Sequence, residues 1–364
     1  MTRLHSHAAR AVNRFFLLAA APFLGLGIWL AAAGPGLTLT LSTEAFPTLH
    51  LPSEPTTGSR TADITAKLDA AIALARETNE SLRRDAELYA QAAAEAEQLA
   101  NLASAQVGKP YAIYDRRITA RLGKPAEQIS SNRITAQLFH IKAQHFNGYA
   151  LKVKLKSNQA MKMVLGRDEI GGAETTLSAV KRHGAIAGVN AGGFYDAGGK
   201  RYPIGTTIVD GTYVTGFVPT YKDLFFAGLN DNMQLIGGNF KTREELDKLK
   251  PRFGASFVPI LMKNGRAQPI PEKWQKSPRR APRTVIANYR DDQLLILVVD
   301  GYDENGSSGA TLEELQILLQ RYGVKDAYNL DGGGSSSLVW NGRVVNKPSD
   351  GELRKLPTHF LFFK

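Results

Sequence analysis

The sequence predicts an α+β fold. A mixed, sheet-dominated domain over residues 133–364 carries its chemistry on a strand-helix-strand unit, and a transmembrane helix and a long helical stalk precede it. Three observations predict the domain. Short apolar runs at 151–155, 161–165, 185–189, 206–209, 257–262, 284–287, 294–299 and 338–340 are punctuated by Gly, Asn and Asp, as strands are. Asp210-Gly211, Asn264-Gly265 and Asn341-Gly342 lie between such runs, and these residue pairs tolerate the left-handed backbone of a tight hairpin. One helix is marked at both ends. Thr311-Leu-Glu-Glu314 is a capping box, Leu312, Leu315, Leu318, Leu319 and Tyr322 recur on one face, and Gly323 supplies the stop.

Ahead of the domain, Arg3, Arg10 and Arg14 mark a basic tail, 1–14. The apolar stretch 15–33 that follows spans roughly 28 Å as a helix, enough to cross a bilayer core. Positive charge before it and none directly after puts the tail in the cytoplasm. A cleaved signal peptide is the rival, but the stretch is long for one, whose apolar region is usually ~7–15 residues. The expectation is a single-pass anchor in a bacterial cell membrane with the C-terminal domain outside.

Residues 34–60, rich in Pro, Gly, Thr and Ser, read as a linker. Residues 61–107 read as a helical stalk. Apolar and small residues there alternate by fours and threes through Leu68, Ile72, Leu82 and Tyr89, with Asn79 as a polar break. That heptad seam suggests a coiled coil and a homo-oligomer through residues 61–103, against the alternative of one helix folded back. Residues 108–132, with Gly-Lys-Pro at 108–110 and 123–125, read as a connector.

Composition narrows the chemistry. The chain has no cysteine, which excludes disulfides, thiolate metal sites and cysteine nucleophiles. Its formal net charge of +11 favours an anionic partner. No run interleaves basic and aromatic residues as a nucleic-acid platform does, so nucleic acid is not expected. The histidines have no metal-site spacing, and Asp300, Asp303, Glu304 and Asn305 miss the EF-hand pattern. No metal or other cofactor is indicated. Ser178-Ala-Val-Lys181 spells S-x-x-K without its usual partner motifs.

The most informative stretch is 293–337. The run 294–299 ends in Asp300-Gly301, the capped helix follows, and a second run, 324–330, ends in Asp331-Gly332. A crossover of that length makes the two strands parallel. If they are neighbours, both aspartates leave one carboxyl edge side by side, where open sheets place ligands. Two carboxylates on one rim suit glycosyl transfer, one as base or nucleophile. The loop Gly332-Gly333-Gly334-Ser335-Ser336 can offer N–H and hydroxyl groups to an anion. Arg283, entering a strand from Pro282, is the candidate phosphate clamp. Asn190, with Gly192 and Gly193 after another buried run, is the candidate sugar site, the glycines allowing close approach. A turn after a strand is the ordinary alternative for each Asp-Gly.

These residues resemble a known family. Gly184-Ala-Ile-Ala-Gly-Val-Asn190 with Gly192-Gly-Phe-Tyr195, Pro282-Arg-Thr284, Val299-Asp-Gly301 and Asn329-Leu-Asp-Gly-Gly-Gly-Ser-Ser336 look like segments of the phosphodiester glycosidase family. The likeness runs from about residue 140 to 364. It implies hydrolysis of a sugar-1-phosphodiester in a phosphate-bearing glycan of the cell envelope or an exopolysaccharide, with Asp331 and Asp300 as base or nucleophile. A non-catalytic, membrane-tethered binder or assembly factor for anionic wall glycans is the alternative.

Overall fold

The computed structural model describes residues 57–301 and 308–364. Among them no helix is long and apolar enough to cross a membrane. That corrects the fold class: it is a sheet-rich α+β domain behind a long helix, with no transmembrane helix in the described fold. The stretch 15–33 itself lies outside the described residues, with the tail 1–14 and almost all of the linker.

One helix runs Thr57–Leu122 and contains Pro110. It passes through the Gly108-Lys-Pro110 tripeptide that reads as a connector. A mid-helix proline removes one backbone bond and crowds the preceding turn, yet the last turns are anchored beyond it. Ile118 and Leu122 are buried in the core, and the buried Lys152 Nζ donates to Asp115 Oδ1 (2.6 Å) and Thr119 Oγ1 (2.7 Å). Tertiary packing overrides the local signal. The seam residues Leu68, Ile72, Leu82 and Tyr89 are exposed on this helix, and the coiled coil and homo-oligomer inferred from them are without support.

Among the described residues twenty strands follow. In chain order they are β1 (Glu127–Ser130), β2 (Ile134–Lys142), β3 (Asn147–Leu155), β4 (Met161–Leu165), β5 (Ala187–Asn190), β6 (Phe194–Ala197) and β7 (Lys200–Pro203). Next come β8 (Ile208–Val209), β9 (Thr212–Tyr213), β10 (Phe225–Asn230), β11 (Leu235–Gly238), β12 (Pro251–Phe257), β13 (Ile260–Lys263) and β14 (Arg266–Ala267). The last six are β15 (Arg283–Asn288), β16 (Leu294–Val299), β17 (Asp326–Leu330), β18 (Leu338–Trp340), β19 (Arg343–Val344) and β20 (Thr358–Phe362).

The largest sheet has the order β1-β2-β3-β16-β15-β17-β13-β14. Two five-stranded sheets, β11-β10-β12-β8-β9 and β19-β18-β5-β20-β4, and the β6-β7 hairpin complete the domain. The three turn dipeptides close hairpins β8-β9, β13-β14 and β18-β19, each with both residues at positive φ. Strands β15, β16 and β17 are buried at every position, and β16 accordingly reads as a continuous apolar run. One core face meets the two smaller sheets through Phe225, Phe253, Trp340 and Phe360. The other lies under the helix Leu312–Tyr322, whose capping box and left-handed Gly323 are both present.

The strand-helix-strand unit differs from expectation in one respect. Strands β16 and β17 are parallel, but they are not neighbours, because β15 lies between them and is antiparallel to both. Arg283 opposes Val299 and Thr284 opposes Leu330, so the start of β15 separates the two aspartate ends. Two strand spacings put those ends about 10 Å apart.

Candidate active site

Beyond Leu330 the chain passes through Asp331 and Gly332 into a 3-10 turn, Gly333–Ser335. The Asp331 N–H donates to the Ala191 carbonyl at 3.1 Å. Asn190, wholly buried at the end of β5, donates from Nδ2 to the Asp331 carbonyl at 2.6 Å. Its Oδ1 accepts from Thr284 Oγ1 (2.9 Å) and from the Ser337 N–H (3.1 Å). One amide therefore holds β5, β15 and the glycine-rich loop together. Both its ends have protein partners, so Asn190 fixes the loop.

The Asp331 carboxyl is set into this junction, and its Oδ2 is buried without a hydrogen-bond partner among the described residues. Burial pushes the acid up to about 6 from its usual 3.8. The Ser335 hydroxyl, the Arg354 charge, the Gly332 N–H and the Arg201 charge pull the other way, in that order. A carboxyl raised to this range by burial while cations attend it is poised for proton transfer near neutral pH.

Arg354 connects the loop to a cleft of about 990 Å³. Its Nη1 donates to Ser335 Oγ at 3.3 Å, and its Nη2 to Asp350 Oδ2 at 2.6 Å. Arg201, on β7, pairs with Asp196 across the hairpin through Nε (2.7 Å) and Nη2 (2.9 Å) and lies 4.2 Å over the Phe194 ring. Arg167, Lys200 and Lys355 line the same cleft, balanced by Glu169, Asp196, Asp350 and Glu352. Nearby, Tyr195 stacks on Tyr202 at 5.6 Å between centroids and is 53% exposed, an open face of the kind that packs on a pyranose.

The other expected site residues have different duties. Four N–H groups along the loop donate within the protein: Gly333 to Pro282 O, Ser335 to Gly332 O, Ser336 to Gly333 O and Ser337 to Asn190. Gly334 is a glycine because a Cβ there would run into Asp350 Oδ2 and Arg354 Nη2. At Gly192 a Cβ would lie 2.6 Å from the Ala255 Cβ, and at Gly193 2.7 Å from Ile204 Cδ1, so both serve packing against neighbouring segments. Buried Arg283 donates from Nε to Ala310 O (3.2 Å) and from Nη2 to Pro278 O (2.9 Å), tying backbone segments together. Asp300 accepts the Lys347 N–H at 2.8 Å and lines, with Tyr149, a cavity of about 550 Å³ that adjoins the cleft through Glu352 and Leu353. The two aspartates thus leave one sheet edge with β15 between them.

Arg201 and Arg354 were absent from the sequence expectation. The first had a readable signal, Asp196 and Arg201 flanking the Gly198-Gly199 turn. The second had none, because its partner Ser335 is set by a long-range return of the chain.

Residues 183–363 match the sequence model of the phosphodiester glycosidase family. The chain carries a phosphodiester glycosidase domain. Asp331, Arg201 and Arg354 all fall inside that span. Among curated proteins the chain is 29% identical over 184 residues to the SPbeta prophage-derived uncharacterized protein YomE of Bacillus subtilis, covering 49% of this chain and 28% of YomE. It is 43% identical over 68 residues to the N-acetylglucosamine-1-phosphodiester alpha-N-acetylglucosaminidase of Bos taurus, covering 19% of this chain and 12% of that protein. Less than a third of either relative is therefore spanned. The fold is like that of the catalytic domain of the zebrafish N-acetylglucosamine-1-phosphodiester alpha-N-acetylglucosaminidase, with a TM-score of 0.52 at 20% identity over 66% of this chain and 87% of that one.

Proposed function

We propose that this phosphodiester glycosidase domain hydrolyses a sugar-1-phosphodiester in the cleft beside Asp331. The observation that carries the reading is the Asp331 carboxyl, raised to about 6, with a buried unpartnered oxygen and with Arg354 and Arg201 beside it. Arg354 and Arg201 receive the phosphodiester, and Tyr195 offers a face to the sugar. Asp331, ionised above its pKa, takes a proton from water as the water oxygen bonds to C1. The C1–O bond breaks, and its electron pair leaves on a phosphomonoester. That leaving group has a second pKa near 6 and needs little protonation, so electrostatic stabilisation does most of the work. N-acetylglucosamine, the sugar in the names of the matched relatives, is the first to test.

The reading is tested with methyl N-acetylglucosamine-1-phosphate in ¹⁸O-water. Free sugar carrying the label, alongside unlabelled methyl phosphate, supports it. Label in the phosphate product would make the protein a phosphoesterase, and no release at all would leave the binding alternative.

A further inference from the structure

At the opposite end of β17 from Asp331 lies a second cavity, of about 830 Å³. Lys325 precedes β17 and Asp331 follows it, which separates the two places by about 20 Å along the strand. Arg121, Arg290 and Lys325 line this cavity together with Tyr114, Asn264 and Gln320, and its lining includes no carboxylate. Among the described residues, Arg182, Arg201, Arg280, Arg343 and Arg354 each pair with an acid. None of the three cavity cations does. The carboxylates next in sequence to Arg290 and Lys325 have other partners: Asp291 accepts from Gln293 (2.8 Å), Asp292 from Gln234 (2.9 Å), and Asp326 from the Asn264 N–H (2.8 Å).

The cations do more than offset a local dipole. The helix Leu312–Tyr322 ends here at Gly323, beside the Arg121 guanidinium. A helix C-terminus carries roughly half a negative charge, against three positive ones. Hydroxyl donors are also at hand. Tyr114 Oη accepts the Arg290 N–H at 3.3 Å, which leaves its own proton to give. The Tyr289 hydroxyl is buried without a partner among the described residues, and Tyr114, Arg121 and Tyr322 are among the groups around it. Cations without acids and donors without acceptors share one chemistry.

We propose that this cavity is a phosphate-class oxyanion site, formed by Arg121, Arg290 and Lys325, and distinct from the Asp331 cleft. The planar guanidinium groups suit two-point contact with phosphoryl oxygens, and the lysine adds a point charge. Its ligand is either free phosphate or a phosphodiester unit of an anionic polymer. The site stands independently of the activity assigned to the cleft.

Isothermal titration of the full chain with inorganic phosphate, and separately with a glycerol phosphate oligomer, tests the proposal. Ionic strength is held constant with chloride. Arg290→Ser/Lys325→Ser weakens binding of the preferred probe at least about tenfold, while Arg201→Ala leaves that binding event in place. A preference for phosphate identifies the free ion, and a preference for the oligomer identifies the polymer. Because Arg290 is exposed and Lys325 partly exposed, the double variant should fold; Lys325→Glu is a second, single change with the same expected loss. Unchanged stoichiometry and affinity in these variants, or equal competition by chloride, would overturn the proposal.

Discussion

Asn190 Nδ2 donates to the Asp331 carbonyl oxygen across 2.6 Å, joining the end of β5 to the first residue after β17, 141 positions later. The same amide accepts from Thr284 and Ser337. Asn190→Ala leaves a carbonyl, a hydroxyl and an N–H unpaired in the interior, which costs about 2–4 kcal/mol. Urea unfolding should show that loss, and kinetics should show kcat falling more than KM rises. A stable variant with normal kcat would remove the amide from its structural role.

Protonation links Asp331 and His359 to stability with opposite signs. Asp331 has a folded pKa of about 6 against 3.8, so the folded state holds the extra proton between those values, and stability falls as pH rises through that window. His359 is wholly buried, and burial lowers it to about 4 from 6.5, so the unfolded state holds the extra proton and stability falls as pH drops from 6.5 to 4. The two slopes largely cancel in the native protein between pH 4 and 6. Asp331→Asn should expose the histidine slope and become more stable than wild type at pH 7–8, by at most about 3 kcal/mol. Chemical denaturation at several pH values reads this directly, and a variant with an unchanged profile would contradict it.

Arg354 helps keep Asp331 ionised, so its removal has a signature beyond weaker binding. Arg354→Ala should raise KM about tenfold or more and move the acid limb of kcat/KM to higher pH. Arg354→Lys should restore part of the pH shift, since it restores charge without the guanidinium fork. A purely structural role would leave the limb where it is.

Gly334→Ala places a methyl group against the ends of the Asp350 and Arg354 side chains, which can swing away. The expected cost is about 1 kcal/mol or less in stability, with at least a tenfold fall in kcat/KM. Equal losses on both axes would mean that the loop itself had collapsed.

What the sequence made legible follows from the range of each interaction. The Leu312–Tyr322 helix, the three hairpins and the buried strands are written in neighbouring residues. Which strand pairs with which is not local: β15 enters between β16 and β17 because the sheet assembles from distant segments, and that insertion parted Asp300 from Asp331. Asn190, Gly192 and Gly193 stood out correctly as special residues. The structure gives them buried, protein-facing contacts, and in sequence a buried staple and a substrate ligand look alike. Pro110 marked a break that packing of Ile118 and Leu122 prevents.

The central claim is that Asp331, and not Asp300, acts in the cleft. Turnover of a glycosyl-1-phosphodiester by Asp331→Asn and by Asp300→Asn, each shown folded by thermal unfolding, tests it most directly. Asp331→Asn should lose at least about 10² in kcat, and Asp300→Asn less than about tenfold. Near-normal turnover by Asp331→Asn would contradict it.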